Sequence, residues 1–124
     1  MNQLHLEYCA SDEWATLLAE NIIPWTSGTG PLGPRLLEVG PGPGRTTEIL
    51  RARAATLTAV ELDPDLASAL RKRMTGTNVT VIEADATALP LEAASFDVAV
   101  SFTMLHHVPT PELQDRIFAE VARV

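Results

Sequence analysis

The sequence predicts an α/β protein whose parallel sheet is covered by helices on both faces. Four strand-like apolar runs, at residues 35–39, 56–61, 78–83 and 96–101, are separated or followed by segments with helical spacing. Strands that alternate with helices favour a parallel sheet joined by right-handed crossovers. Ligands bind such sheets beyond the carboxyl ends of the strands, so functional residues are expected there.

The segment before the first strand is predicted to hold one helix. Ser11 is a good N-cap, and apolar residues recur behind it at helical spacing, which predicts an amphipathic helix over residues 12–22. Pro24 is expected to end this helix, because proline has no N–H to donate. The stretch 25–34 is rich in Gly, Pro, Ser and Thr and is expected to be a surface connector. The chain therefore divides into an N-terminal helix and connector, residues 1–34, and an α/β core, residues 35–124.

Two later helices carry clear start signals. Asp63 and Thr110 are N-cap residues, and each is followed by a proline at the first helical position. Apolar residues then fall on one face of each helix. These faces comprise Leu66, Leu70 and Met74 in the first, and Leu113, Ile117, Val121 and Val124 in the second. Both helices are predicted to pack on the sheet.

Composition limits the class of protein. The 124 residues suffice for one domain with a substantial core, and no apolar run approaches the roughly 20 residues of a membrane helix. The N-terminus lacks the basic segment of a secretory signal, and the single cysteine, Cys9, fits a reducing cytoplasm, where we expect the protein. A net charge of −7 argues against a nucleic-acid partner, because such faces neutralise phosphates with clustered Lys and Arg. The basic cluster at residues 71–73 is expected to complement the dipole at a helix end.

The run LLEVGPGPGRTTEIL, residues 36–50, passes from an apolar strand through three glycines into a polar helical segment. Gly40, Gly42 and Gly44 can adopt positive φ and have no Cβ to hold a ligand away from the backbone. The two intervening prolines stiffen the turn, so remaining amides and the start of the next helix would meet the ligand. The pattern indicates a floor for a small nucleotide-like molecule.

Acidic residues follow the next two strands. Glu61 lies about 20 positions after Gly40, the spacing at which a carboxylate accepts hydrogen bonds from ribose hydroxyls. Asp85 follows the third strand and could accept from an exocyclic amine, while the small Ala86 beside it leaves room for a flat base. Together with the glycines, these residues predict a nucleoside site.

These stretches resemble the class I S-adenosylmethionine-dependent methyltransferases, which have a Rossmann-like three-layer fold. The resemblance rests on EVGPGPG, VELDP, EADATALPL and SFDVAVSFTMLHHV, which correspond to the family's first four motifs. It implies a sheet order of 3-2-1-4 and S-adenosyl-L-methionine as cofactor. It also implies cofactor-binding roles. Glu38 and the glycines Gly40, Gly42 and Gly44 would face the methionine part. Glu61 would bind the ribose hydroxyls, and Leu62 would pack on the adenine ring. Asp85 would bind the adenine amine with Ala86 beside it, and Ser101 and Phe102 would border the methionine part and the transferred methyl.

Two other enzyme classes are alternative interpretations of these motifs, and each has a different substrate. A dinucleotide-binding dehydrogenase would need glycines spaced as G-x-G-x-x-G, and here the third glycine is misplaced. The first half of the chain also resembles the adenine-N6 rRNA dimethylases, which share GPGPG and VELDPDLA. Those enzymes carry an Asn-Pro-Pro-Tyr or Asn-Leu-Pro-Tyr type sequence after the fourth strand, where this chain has Ser-Phe-Thr-Met at 101–104. That segment resembles instead the small-molecule branch typified by ubiquinone and menaquinone C-methylases, so a small-molecule methyl acceptor is expected.

Histidines and aromatic residues outside these motifs are less informative. His106 and His107 are expected to play a structural part at the start of a helix, and no catalytic base is assigned. No metal site is expected, because adjacent histidines rarely bind one ion together and no Cys or carboxylate lies at ligand spacing. Tyr8, Cys9 and Trp14 lie in the region that covers the cofactor in relatives, although ordinary packing explains them equally well.

The chain ends on AEVARV, where family members continue into a Leu-(Lys/Arg)-Pro-Gly-Gly turn and three more strands. The resemblance therefore implies the cofactor half of the sheet, without strands five to seven. The fourth strand would be an exposed edge, which another copy of the chain or a further segment would have to cover. A non-catalytic cofactor-binding or protein-interaction fragment is the remaining alternative. On this view the 124 residues alone are expected to bind cofactor weakly and to methylate poorly.

Overall fold

The architecture is that of a four-stranded parallel sheet between helical layers, seen in a computed structural model that describes residues 2–124. The strands run in the order β3-β2-β1-β4, and every neighbouring pair is parallel. Their bounds are β1 Arg35–Val39, β2 Thr56–Glu61, β3 Val79–Glu83 and β4 Val98–Val100. The predicted fold class and strand order are confirmed.

Among residues 2–124, six α-helices surround the sheet. They are α1 Gln3–Ala10, α2 Asp12–Leu17, α3 Ile23–Ser27, α4 Arg45–Leu50, α5 Pro64–Arg73 and α6 Pro111–Arg123, with a π-helical turn at Leu18–Ile22 and 3₁₀ turns at Arg51–Arg53 and Leu105–His107. The predicted caps are present: Asp63 accepts from the N–H groups of residues 65 and 66, and Thr110 accepts from that of residue 113. Within residues 2–124, no helix is both long enough and apolar enough to cross a membrane.

The N-terminal region is more helical than the sequence suggested. Helix α1 begins after Asn2, whose side chain accepts from the His5 N–H at 2.8 Å. The sequence did not predict this helix, because its apolar residues do not fall on one face. The prediction that Pro24 ends a helix over residues 12–22 was wrong. Pro24 occupies one of the first two positions of α3, where its missing N–H is not required. A π-helical turn over Leu18–Ile22 joins α2 to α3, so the helical backbone continues through Pro24 to Ser27.

Two strands are shorter than predicted. β3 starts at Val79 rather than at residue 78, and β4 spans Val98–Val100 rather than residues 96–101. The extra apolar residue Phe96 does not join the ladder, because its N–H donates to the carbonyl of Val124 at the end of α6. β4 lies at one end of the sheet and pairs only with β1 among the described strands.

The core has one part on each face of the sheet. Leu36 and Leu37 are both fully buried, but they point to opposite faces, as residues next to each other in a strand must. Leu36 packs with Trp14, Leu18 and Leu70 from the helices on one side, whereas Leu37 packs with Ile117 and other residues on the α6 side. This double burial of β1 places the glycines that follow it at the centre of the sheet edge.

Candidate functional site

A cavity of about 480 Å³ opens at the carboxyl ends of the four strands. Its size falls within the range typical of sites for small molecules. Seven of the ten residues identified from the sequence lie on its wall: Gly40, Gly42, Glu61, Leu62, Asp85, Ala86 and Phe102. Three do not, namely Glu38, Gly44 and Ser101, and each of these makes a contact behind the wall.

The glycine loop, residues 40–44, forms the floor of the cavity. Gly40, Gly42 and Gly44 have φ values of 71°, 55° and 86°, a region that L side chains rarely occupy. The Gly40 N–H donates to the carbonyl of Val60 at 2.9 Å, which ties the loop to β2. A Cβ atom at Gly40 would overlap the side chain of Met104, so glycine lets the loop and the segment after β4 approach each other.

Gly44 lies off the cavity wall and is closely packed against α5. It is the N-cap of α4 in a left-handed conformation, and its N–H donates to the carbonyl of Pro41 at 2.9 Å. A Cβ atom there would overlap Leu70 and would lie 2.8 Å from a guanidinium nitrogen of Arg73 on α5. The absence of a side chain at Gly44 therefore lets the glycine loop pack closely against α5.

Glu61 connects the end of β2 to the glycine loop. It is 8% exposed, and its two carboxylate oxygens accept from the N–H groups of Gly42 at 2.9 Å and Asp63 at 3.0 Å. A carboxylate has about four acceptor positions, so two remain for hydroxyl groups in the cavity. This one side chain can brace the loop and bind a ligand.

Asp85 lies in the turn that follows β3. One of its oxygens accepts from the backbone N–H of Thr87 at 2.8 Å and from the Thr87 hydroxyl at 2.7 Å. These two hydrogen bonds hold the pKa of Asp85 below its usual value, so the group is ionised at neutral pH. Its second oxygen is available to an amine in the cavity.

Glu38 is buried beneath the loop, at 1% exposure. The hydroxyls of Thr46 and Thr47, in the first turn of α4, donate to its two oxygens, the latter at 2.6 Å. Burial raises the pKa of Glu38, the two hydroxyls oppose that effect, and the charge of Glu61 adds to it. The side chain fastens β1 to α4 and does not reach the cavity.

The segment after β4 forms the opposite wall. Ser101 donates its hydroxyl to the carbonyl of Val39 at 3.0 Å and so joins β4 to the end of β1. Phe102 is half-buried and lines the cavity. Thr103 follows with a φ of 53°, an unfavourable conformation for a β-branched residue. The strained backbone turns Met104 towards the glycine loop.

The N-terminal helices cover the cavity. Cys9 and Trp14 are buried and line it, whereas Tyr8 remains 42% exposed beside Trp14. Arg45 of α4 holds this roof in place, because its guanidinium donates to the carbonyl of Ala10 at 2.9 Å and pairs with Asp12 at 2.8 Å. Burial raises the pKa of the Cys9 thiol, which favours its neutral form.

Residues 37–124 match the sequence profile of a protein family described as "Methyltransferase domain". That match covers more than half of the chain and includes the glycine loop, both acids and the segment after β4. The chain belongs to this methyltransferase family. Its members are S-adenosylmethionine-dependent class I methyltransferases.

Solved structures share the fold of this methyltransferase domain. A SAM-dependent methyltransferase from Aquifex aeolicus is 17% identical, with a TM-score of 0.79, over all of this chain and 67% of its own. A SAM-bound amino pentose methyltransferase from Micromonospora echinaspora, involved in calicheamicin biosynthesis, is 22% identical with a TM-score of 0.68. The alignment covers 98% of this chain and 50% of that one.

Curated relatives resemble part of the methyltransferase domain in sequence. Ribosomal RNA small subunit methyltransferase A from Acidobacterium capsulatum is 48% identical over 66 residues, which is 52% of this chain and 23% of that protein. The chain spans about a quarter to a third of the length of the curated relatives it matches.

Several residues that shape the site of this methyltransferase domain were not identified from the sequence. Thr46 and Thr47 donate hydrogen bonds to the buried carboxylate of Glu38. Met104 fills the space above Gly40, and Arg45 holds the N-terminal helices over the cavity. The only local signal was the Arg-Thr-Thr that follows the glycines. Their partners lie far away along the chain, so spacing alone could not pair them.

Proposed function

We propose that the cavity binds S-adenosylmethionine and that the protein transfers its methyl group to a small-molecule acceptor. The observation that carries this proposal is the position of Glu61 and Asp85 on the wall of one cavity, after neighbouring parallel strands and beside the glycine loop. Two carboxylates in that arrangement suit a nucleoside, which offers hydroxyl donors at one end and an amine at the other.

The adenosine part would lie between the ends of β2 and β3. Glu61 accepts hydrogen bonds from the ribose hydroxyls with the acceptor positions that its two backbone contacts leave. Leu62 is 66% exposed and offers an apolar face to the adenine ring. Asp85 accepts from the adenine amine through its second oxygen, and the small side chain of Ala86 leaves space for the base.

The methionine part would lie over the glycine loop, which presents backbone rather than side chains. Phe102 borders the transferred methyl group from the β4 side. Glu38, Gly44 and Ser101 support this wall from behind through their contacts with α4, α5 and β1. We therefore assign them to positioning of the loop and of the β4 end.

When bound, S-adenosylmethionine supplies a sulfonium methyl whose C–S bond breaks as a lone pair of the acceptor forms the new bond, leaving a neutral thioether, S-adenosylhomocysteine. The chain contributes orientation, for which effective molarities of roughly 10⁵ to 10⁸ M are known in aligned systems. It also excludes water, since Cys9 and Trp14 close the cavity from above. No side chain is assigned as a base.

The charge of the cavity supports a small acceptor. Among residues 2–124, its wall carries the carboxylates of Glu61, Asp63 and Asp85, while its one guanidinium, that of Arg45, already pairs with two acids. An RNA substrate requires Lys and Arg side chains near its phosphates. The net charge of this chain is −7, which is opposite in sign to the charge that binds phosphates.

An rRNA adenine-N6 methyltransferase is the second candidate. It is favoured by one observation, the 48% identity over 66 residues with the Acidobacterium capsulatum protein. The shared motifs GPGPG and VELDPDLA lie in the cofactor half of the site, which is common to enzymes with different acceptors. The identity therefore supports the cofactor more than it supports an RNA acceptor.

Calorimetric titration of the 124-residue chain with S-adenosylmethionine and S-adenosylhomocysteine tests the cofactor. Binding should weaken at least about tenfold in Glu61→Ala and in Asp85→Ala, because hydrogen bonds to charged groups contribute roughly 1.5–3 kcal/mol. Glu83→Ala is the matched control, since Glu83 is an exposed acid beside Glu61 in the sheet and is not on the cavity wall.

Circular dichroism of each variant separates loss of binding from loss of fold. A folded wild-type chain that binds neither ligand would overturn the cofactor proposal and favour an interaction fragment. Equal affinity in all three variants would show that the nucleoside lies elsewhere.

The acceptor is tested by transfer of labelled methyl from S-adenosylmethionine. The panel comprises quinols, phenols, small amines and small-subunit rRNA. Label in the small molecules and not in RNA is the expected result. Label in RNA alone would replace the first candidate by the second.

A further inference from the structure

Three histidines meet beside the cavity, although they are far apart in the sequence. His5 lies on α1, while His106 and His107 form the 3₁₀ turn after β4. The chain contains three histidines, so all of them are in this one cluster. The sequence shows only that His106 and His107 are adjacent, and nothing in it places His5 beside them.

The nitrogen atoms of the cluster are close enough to share one ion. One ring nitrogen from each histidine lies within 4.8 Å of those of the other two. Three imidazoles on one zinc ion, with N–Zn distances of about 2.0–2.1 Å, place their ring centroids about 5 Å apart. The centroid of His5 is 5.3 Å from that of His106 and 5.0 Å from that of His107. The remaining pair is closer, at 3.9 Å, and would open by about 1 Å to reach the same spacing.

His5 also carries an unsatisfied polar atom. Its Nε2 is buried and, among the residues described, has no hydrogen-bond partner. A buried polar atom without a partner is destabilising, and a bound ion is one recognised way in which proteins satisfy such an atom.

We propose that His5, His106 and His107 form a binding site for one zinc ion. Three neutral imidazoles suit zinc, and the exposure of His106 and His107 leaves a fourth position for water. The ion would link α1 to the segment after β4. The site is independent of the cofactor assignment.

A consequence of the site rests on the proposed function. His107 lines the cavity, and α1 carries Cys9, which lines it as well. Zinc would therefore fix the roof in its closed position. Zinc is expected to tighten S-adenosylmethionine binding severalfold, and the two ligands should enhance each other equally, as linkage requires.

The test uses the untagged 124-residue chain, freed of metal by a chelator, because a histidine tag would itself bind zinc. Titration against a chromogenic zinc indicator should give one ion per chain. Each of His5→Ala, His106→Ala and His107→Ala should lower the affinity at least about tenfold. Glu7→Gln is the control, because Glu7 is an exposed acid on the same helix.

Two further measurements keep the result interpretable where His5→Ala loosens α1. The imidazole proton resonances of all three histidines should shift together in the wild-type chain as one equivalent of zinc is added. Cobalt substitution should give the visible bands of a four-coordinate site without a thiolate charge-transfer band, which excludes Cys9 as a ligand.

No zinc binding by the folded wild-type chain, or binding that the three alanine variants leave unchanged, would overturn the site. Shifts confined to the His106 and His107 resonances would also contradict it. Zinc bound through all three histidines by a chain that fails to bind S-adenosylmethionine would leave the zinc site intact and remove the proposed function.

Discussion

The carboxylate of Glu61 accepts a hydrogen bond from the backbone N–H of Gly42, at 2.9 Å. The bond joins the end of β2 to the middle of the glycine loop, which follows β1. A second bond, from the Asp63 N–H at 3.0 Å, fixes the same carboxylate from the other side. Substitution at Glu61 should therefore change the stability of the loop as well as the affinity for a ligand.

Glu61→Gln should lower the free energy of unfolding by about 1–3 kcal/mol. Glutamine keeps the volume but offers only one oxygen, so one of the two backbone N–H groups, those of Gly42 and Asp63, loses its acceptor. Urea denaturation followed by circular dichroism measures the change. Glu83→Gln is the control, because Glu83 is the register partner of Glu61 on β3 and is exposed. A variant at position 61 as stable as wild type would show that the loop does not depend on the carboxylate.

Gly44→Ala should be more destabilising than Gly76→Ala. Both glycines have positive φ, at 86° and 78°, so each alanine brings backbone strain of about 1–2 kcal/mol. Only at Gly44 does the new Cβ overlap Leu70, which adds about 1–3 kcal/mol of overpacking. At Gly76 nothing lies within 4 Å of the Cβ position. Thermal or urea unfolding of the two variants gives the difference, and equal losses would contradict close packing of the loop against α5.

Glu38→Gln should make the free energy of unfolding less dependent on pH above about 4.5. Burial raises the pKa of Glu38 in the folded state, so the folded protein holds its proton more tightly than the unfolded chain does. The free energy of unfolding therefore falls as pH rises from the ordinary value of 4.5 towards the raised one. Glutamine cannot ionise and can still exchange hydrogen bonds with Thr46 and Thr47.

Unfolding free energies of wild type and Glu38→Gln, measured from pH 4 to pH 8, test this sign. The variant should gain stability relative to wild type as pH rises. A constant difference would mean that Glu38 titrates alike in both states. The Thr47→Val variant should have the opposite effect. It removes a donor that favours the ionised form of Glu38, so the free energy of unfolding should depend more strongly on pH than in the wild type.

Local patterns were sufficient for the sheet and for much of the cavity wall. β1 and β2 have the bounds predicted, because each is largely buried on both faces and each is followed closely by a residue that disfavours strands, Gly40 after β1 and Pro64 after β2. Glu61 and Asp85 were found because parallel strands bring their carboxyl ends to one edge.

Contacts between distant segments could not be predicted. The pairing of Glu38 with Thr46 and Thr47 depends on how α4 turns back over β1, and spacing does not encode that turn. His5 meets the pair at 106 and 107 only because α1 folds over the end of β4. Helix α3 escaped detection because the rule that proline ends a helix does not apply at a first turn.

Glu120→Gln should destabilise the protein at neutral pH and have little effect near pH 2. Glu120 accepts from the Arg123 guanidinium and from the Leu89 N–H, and these bonds lower its pKa to about 2. A lowered pKa means that the stabilisation is fully present above the ordinary value of 4.5 and is lost as pH falls towards about 2.

The midpoint temperature of unfolding, measured for wild type and Glu120→Gln from pH 2 to pH 7, tests that window. The difference between the two should shrink as pH falls through it. Asp115→Asn is the control, because Asp115 is an exposed acid on the same helix. Since Arg123 also donates to the carbonyls of Leu89 and Leu91, the pair holds α6 to the segment before β4. A midpoint difference that persists at pH 2 would show that the variant acts through packing rather than through the charge of Glu120.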